Sequence, residues 1–340
     1  MARIRLPRLC ARLEPLSAAR VGMVEQAGAR GRVLVVAGTH GNERNAPWLL
    51  EAWRRHEPPL ATAGLAVDLA LGNPAAYAAN RRYISRDLNR SFVVDRLAGP
   101  ERDCPELEQA RALLGRHGPQ APQPCQVVFD LHSTTAAMGN CLVVYGRRPA
   151  DLALAAALQG RLGLPVYLHE ADSAQTGYLV ERWPCGLVVE VGPVPQGVIA
   201  ASIARQTALA LEEGFACLAA ARDGSLRLPP RLVVHRHLGS LDLPRDAAGE
   251  SLACLHPARQ HRDWRPLRAG DPLFLTPAGA TLPYRPPAGQ GDRPVWPVFI
   301  NEAAYGEKGI ALSLCEREVW PLHPGWAEAL AAVAAALEPA

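Results

Sequence analysis

Two histidines and a glutamate stand where they could share a metal ion. Thr39-His40-Gly41-Asn42-Glu43 follows the apolar run VLVVAG, so His40 and Glu43 sit three residues apart at the carboxyl end of a candidate strand. Open α/β sheets place their ligands at such ends. Imidazole and carboxylate are both good zinc donors, and a one-turn spacing lets them converge on one ion. Gly38 and Gly41 permit the tight backbone this needs. A third donor, His132, ends a second buried run, VVFDLHSTT. Catalytic zinc takes three protein ligands and keeps a fourth position for water. Asp130 shares the face of His132 if the strand continues and could orient that imidazole; a capping or buried-acid role accounts for it equally well.

Leu187-Val188-Val189-Glu190-Val191 puts one carboxylate inside an otherwise apolar strand. A buried acid is costly unless paired or kept for function. Beside a metal site, Glu190 would take the proton of an attacking water and pass it to a leaving amine. The densest polar cluster is Arg81-Arg82-Tyr83-Ile84-Ser85-Arg86-Asp87-Leu88-Asn89-Arg90. Arginine forks suit carboxylates and developing oxyanions, and the adjacent Asn89 and Arg90 could grip one substrate carboxylate from two sides. Composition alone favours a solvated basic loop there. His56, His117, His235, His237, His256, His261 and His323 lie in polar or helix-end sequence and read as solvated or capping residues; His169, ending a strand candidate, is a mild rival ligand.

Elements that could position these residues alternate along the chain from about residue 31 to 225. Strand candidates are Val33–Ala37, Leu65–Leu71, Val127–Leu131, Cys141–Tyr145, Val166–His169 and Leu187–Val191, near-continuous apolar runs of the kind a doubly covered sheet requires. Helical stretches lie between them at Ala46–Arg55, Pro105–His117, Ala150–Leu162 and Gln196–Ala221. This predicts an α/β fold with a mostly parallel sheet flanked by helices. After Gly224 prolines and glycines become dense, and short β-like pieces appear at Leu232–His235, Pro272–Leu275 and Pro294–Ile300. The expected division is therefore a catalytic domain over residues 1–225 and a smaller β-rich C-terminal domain over 226–340. Trp326–Leu337 reads as its terminal helix.

The bulk properties narrow the function class. At 340 residues and 49% hydrophobic, the chain is long enough for two cores. Its net charge of +3 comes from 36 basic and 33 acidic residues spread evenly, without a basic block, which argues against nucleic acid. No apolar run reaches the roughly 20 residues of a membrane span. The charged opening MARIRLPRLCARLEPL does not resemble a signal core, so a cytosolic protein is expected. Eight cysteines without a C-x-x-C pair read as small buried hydrophobes rather than disulfides or a thiolate metal site.

GTHGNE at 38–43, RYISRDLNR at 82–90, DLHSTT at 130–135, VEVGPVPQGV at 189–198 and NEAAYGEK at 301–308 occur in order. Together they resemble the aspartoacylase branch of the zinc carboxypeptidase-like superfamily, which includes succinylglutamate desuccinylase. The similarity runs from about residue 31 to 315. It implies a zinc-carboxypeptidase-like fold and a deacylase that hydrolyses the amide of an N-acyl amino acid, usually N-acetyl-L-aspartate. It also implies one Zn2+ per subunit on His40, Glu43 and His132, Glu190 as proton donor and acceptor, and Arg82 polarising the scissile carbonyl. Asn89 and Arg90 match a substrate-carboxylate clamp, and Tyr305 a tyrosine reaching in from the C-terminal part. The family often pairs, so a homo-oligomer is a further expectation.

One stretch departs from the pattern. Aspartoacylases carry Tyr-x-x-x-Arg before the base glutamate, the arginine reading the aspartate side chain. Tyr178 and Arg182 have that spacing but lie two residues too close to Glu190; an ungapped match puts Thr176 and Val180 there. With Val180 as counterpart, an N-acyl-aromatic-amino-acid acylase or a desuccinylase-type enzyme gains ground over an aspartoacylase. Ser133 and Gly306 stand where asparagine and tyrosine are frequent. A non-catalytic ligand-binding protein of the same fold is the alternative from another class.

Overall fold

The computed structural model describes residues 31–101, 104–170, 175–287, 291 and 293–340. The charged opening and Cys10 lie outside them. The first half runs β1 (Arg32–Ala37), α1 (Asn45–Arg54), β2 (Val67–Leu71), α2 (Pro74–Ala79), α3 (Val94–Ala98) and α4 (Pro105–His117). It continues through β3 (Cys125–Ser133), β4 (Gly139–Tyr145), α5 (Pro149–Leu162), β5 (Val166–His169), β6 (Cys185–Gly192) and α6 (Ala201–Arg222). The remainder contains β7 (Arg231–Asp242), β8 (Cys254–Leu255), β9 (Pro272–Leu275), β10 (Thr281–Pro283), β11 (Trp296–Val298), β12 (Ile310–Pro321) and α7 (Pro324–Ala335).

Nine strands form one sheet in the order β11-β12-β7-β5-β4-β6-β3-β1-β2, and β10-β9-β8 form a small second sheet. Five pairings of the large sheet are parallel and three are antiparallel, as the alternating pattern predicts. Successive strand residues point to opposite faces, and both faces are apolar. Val33, Val35, Phe129, Leu142, Val166 and Leu187 pack under α1, α5, α6 and α7. Leu34, Val36, Val128, Val143, Tyr167 and Val188 face α4 and the connecting segments. Between the sheet and its neighbours α6 and α7, α5 is buried from Ala150 to Leu158. Its alanines are the small side chains that such all-round cover requires.

The division expected at residue 226 falls between α6 and β7, yet the large sheet continues across it. β7 pairs in parallel with β5, and β12 and β11 extend the same sheet beyond β7. The terminal helix packs on α5 and α6 rather than on the small sheet. Among the described residues β8, β9 and β10 form a small second sheet, which shares a core around Leu267 and Tyr284 with Leu312 of β12. β12 is absent from the sequence expectation because its outer half, Glu316 to Pro321, alternates half-buried with exposed residues and reads as a polar segment. The helix expected from Gln196 begins at Ala201. Residues 195–200 are instead a turn with Gly197 at φ +77°; Asn45 ties it down, accepting from Ala200 N at 2.7 Å and donating to Val198 O at 3.1 Å. Among the described residues no helix is long and apolar enough to cross a membrane.

Candidate metal centre and active site

Strand register builds the centre. β1, β3 and β6 are parallel neighbours, so their carboxyl ends share one edge. Ala37 aligns with Leu131, and His132 with Glu190. Alternation then sends Asp130 and His132, in step with Val128, and Glu190, in step with Val188, to the face away from α5 and α6. After β1 the chain turns at Gly38, with φ +73°, and passes Ala76 so closely that a Cβ on Gly41 would lie 2.1 Å from the Ala76 carbonyl carbon. That passage delivers His40 and Glu43.

The three candidate ligands are buried, and their donor atoms lie within 4.8 Å of one another. Glu43 Oε1 is 2.6 Å from His40 Nδ1, and Glu43 Oε2 is 3.1 Å from His132 Nδ1. Each imidazole has its other nitrogen on a carboxylate: His132 Nε2 on Asp130 Oδ2 at 2.8 Å, and His40 Nε2 on Asp87 Oδ1 at 3.1 Å. Outer carboxylates that fix ring orientation and leave the inner nitrogen facing an ion are the usual surroundings of metal-binding histidines. This donor set fits a divalent metal such as zinc. Burial opposes ionisation of Glu43, but the His40 and His132 charges outweigh it and hold its carboxyl far below the usual range. Burial also opposes charge on His132, and Asp130 and Glu43 overcome it, pushing that imidazole well up.

A second grouping, Asp68, His117 and Cys125, lies at the opposite ends of the strands. Arg32 already pairs with Asp68 at 2.7 Å, and burial next to Asp68 pushes the Cys125 thiol up to about 12, so a protonated, ion-paired cluster accounts for it.

A cavity opens from the ligands. Arg82, Asn89, Arg90, Tyr178, Glu190 and Tyr305 all line it, together with His40, Glu43 and His132. Glu190 is driven well above the usual carboxyl range by burial, reinforced by Glu43 and Glu302. Arg82 reaches Asp87 at 3.2 Å and Glu43 at 3.5 Å. Asn89 Oδ1 accepts from Leu179 N at 2.7 Å. Arg90 lies over the Tyr178 ring at 4.2 Å, and Tyr178 stacks on Tyr145 at 3.5 Å. Tyr305 arrives on the 3-10 turn Ala303–Lys308; Glu302 pins that turn by accepting from Thr134 Oγ1, Thr135 N and Ala136 N.

Arg182 does not line the cavity. A 3-10 turn over Leu179–Arg182 carries it away, with its Nε buried and unpartnered, while Val180 packs into the apolar core. Neither candidate for side-chain recognition therefore reaches the pocket. His237, expected to be solvated, lines the pocket with His169, and His235 is buried. Three positioning carboxylates escape sequence reasoning. Asp87 and Glu302 are two; the third, Glu106, is fully buried and accepts from Ile84 N, Ser85 N and Arg86 N at 2.6 to 3.3 Å, clamping the loop that carries Arg82 and Arg90. Glu106 holds a loop 20 to 22 residues away, Asp87 meets His40 across 47 residues and Glu302 meets Thr134 across 168, so no local motif announces these contacts.

Residues 29–217 match the succinylglutamate desuccinylase/aspartoacylase catalytic domain, and residues 230–317 match the AstE/AspA barrel-sandwich hybrid domain. A protein named probable aspartoacylase from Parasynechococcus marenigrum (strain WH8102) is 60% identical over 300 residues, 88% of this chain and 97% of its own length. Another of that name, from Prochlorococcus marinus (strain MIT 9313), is 55% identical over 88% of this chain and 97% of its own. Among solved structures, murine aminoacylase 3 superposes with a TM-score of 0.75 at 33% identity, covering 87% of this chain and 98% of that one.

Proposed function

The chain belongs to the succinylglutamate desuccinylase/aspartoacylase family, and from that premise we propose that it is a zinc-dependent deacylase of N-acyl amino acids, with N-acetyl-L-aspartate as first substrate. One observation carries this reading: Glu190 stands directly across from His132 in the sheet register, beside the His40, Glu43 and His132 donors. When bound, zinc supplies Lewis acidity and eases deprotonation of water.

The residues of the chain do the rest. Glu190 takes a proton from the attacking water on its carboxylate and returns it to the leaving nitrogen, so the new C–O bond and the broken C–N bond are balanced by one proton carried across. Its raised proton affinity suits that shuttle. Arg82 donates to the carbonyl oxygen as it becomes an oxyanion. Arg90 and the Asn89 amide grip the α-carboxylate. An adjoining outer cleft lined by Arg82, Arg86, Arg90, Arg96 and Lys308, against Asp87 and Glu307, favours an anionic substrate on its way in. A second reading, an N-acyl-aromatic amino acid, draws support from the aromatic walls Tyr145, Tyr178, Phe299 and Tyr305.

Turnover of N-acetylaspartate, N-acetyltyrosine and N-succinylglutamate, measured with and without a chelator, tests the proposal. Chelator-sensitive release of aspartate is expected. No hydrolysis of any of the three by zinc-loaded protein would leave a ligand-binding protein instead.

A further inference from the structure

Lys308 is the only lysine in the 340 residues; every other basic side chain among the 36 is an arginine. It ends the 3-10 turn Ala303–Lys308, three residues after Tyr305, and residues three apart share one side of such a turn. The inner pocket and the outer cleft share Arg82, Arg90, Ala304 and Tyr305, and Lys308 lines the outer one. The one ε-amine of the chain therefore stands at the entrance, reachable from solvent.

Arg82, Arg86, Arg90 and Arg96 line the cleft with that amine, against the two acids Asp87 and Glu307. Both acids have other partners. Asp87 accepts from Arg82 at 3.2 Å and from Asn89 N at 2.9 Å and lies 3.1 Å from His40 Nε2, while Glu307 accepts the Tyr83 hydroxyl at 3.0 Å. Loss of solvent along the cleft wall, together with Arg90 and Arg82, lowers the pKa of Lys308 below the ordinary lysine value, against the pull of Asp87 and Glu307. Guanidinium groups stay protonated at neutral pH, whereas an ammonium can lose a proton and attack as an amine. Of the cations that line the cleft, Lys308 alone can bond covalently to an acyl group. Five cations against two acids also concentrate dianions. An acyl phosphate is such an anion and carries its own leaving group.

We propose that Lys308 is an acylation site: an acyl phosphate drawn in by the surrounding arginines converts its side chain to a neutral amide, which weakens the entry of anionic substrate. The amine nitrogen attacks the acyl carbonyl, and a C–N bond forms as the C–O bond to the phosphate breaks. Inorganic phosphate leaves with the electron pair, and the proton of the nitrogen passes to water. The cleft loses one cation of its five and with it part of its attraction for anions. The effect on substrate entry rests on the deacylase reading; the acylation itself does not.

Acetyl phosphate is the probe. Zinc-loaded protein and an N-terminally capped peptide of residues 302–310 are treated alike, and peptide mass spectrometry should find Lys308 acetylated roughly tenfold faster in the protein. Calorimetric Kd for L-aspartate should weaken several fold on acetylation, with that for L-leucine near its untreated value. Lys308→Gln, which carries a neutral amide, should match the acetylated protein without treatment. Lys308→Arg, measured before and after treatment, should not respond. Acetylation no faster than in the peptide, or an equal response of Lys308→Arg, overturns the site; acetylated Lys308 with unchanged aspartate affinity overturns its effect on entry. If the affinity shifts while no N-acyl amino acid is turned over, the acylation site stands and the deacylase falls.

Discussion

Asp130 ties both candidate ligand segments together: its Oδ2 lies 2.8 Å from His132 Nε2, while its Oδ1 accepts the hydroxyl of Thr39, the neighbour of His40, at 2.6 Å. Asp130→Asn keeps the shape and removes the charge that orients His132. Zinc affinity should fall about ten- to a hundredfold, read by competition with a chromophoric chelator. An unchanged affinity would show that Asp130 is only a buried structural acid.

Glu190→Gln should bind zinc as the parent does and lose about two to four orders of magnitude in kcat. Metal content and steady-state rates measured on the same preparation check this. A variant with full metal and a parental rate removes Glu190 from proton transfer.

Glu106 touches neither ligand nor pocket, yet it accepts three consecutive backbone N–H groups of the arginine loop and the Asn73 amide. Glu106→Ala strands those donors and should cost about 3 kcal/mol of unfolding free energy. Activity should fail mainly through a raised KM as Arg90 loosens, with zinc retained. Denaturant melts and kinetics together distinguish this from loss of the metal centre.

His235 provides a pH test. Burial, with Arg317 nearby, lowers its imidazole from the ordinary 6.5 to about 4, and its Nδ1 is buried without a partner. A depressed folded value means the stability is complete above pH 6.5 and lost as pH falls towards 4. The loss should approach about 3 kcal/mol. His235→Leu should flatten the stability profile between pH 6.5 and 4; an equally steep acid slope would place the sensitivity elsewhere.

The residues legible in sequence are those whose role is fixed by a strand end. His40, Glu43, His132 and Glu190 each interrupt or terminate an apolar run, and the sheet register brings three such ends together. Arg82, Asn89 and Arg90 were visible as a polar cluster, but what aims them, Glu106 and Asp87, depends on contacts that no spacing encodes. Arg182 misled because a Tyr-x-x-x-Arg spacing does not say which way a 3-10 turn will face. His235-Arg236-His237 looked solvated since three polar residues in a row suggest a loop. Pairing of β7 with β5 and β12 turns both histidines inward and the arginine out to Glu316 and Glu318.

The sheet that runs through residue 226 makes the C-terminal segment an edge guard. β5 has only four residues, all buried, and hydrogen-bonds to β4 on one side and β7 on the other. A chain stopped after α6 would bare that second side as a row of unpaired N–H and C=O groups, flanked by the apolar surface α7 now covers on α5. Such an edge is a template for pairing with other chains. Truncation should therefore yield aggregates rather than a smaller enzyme, and Tyr305 and Glu302 would be lost with the guard.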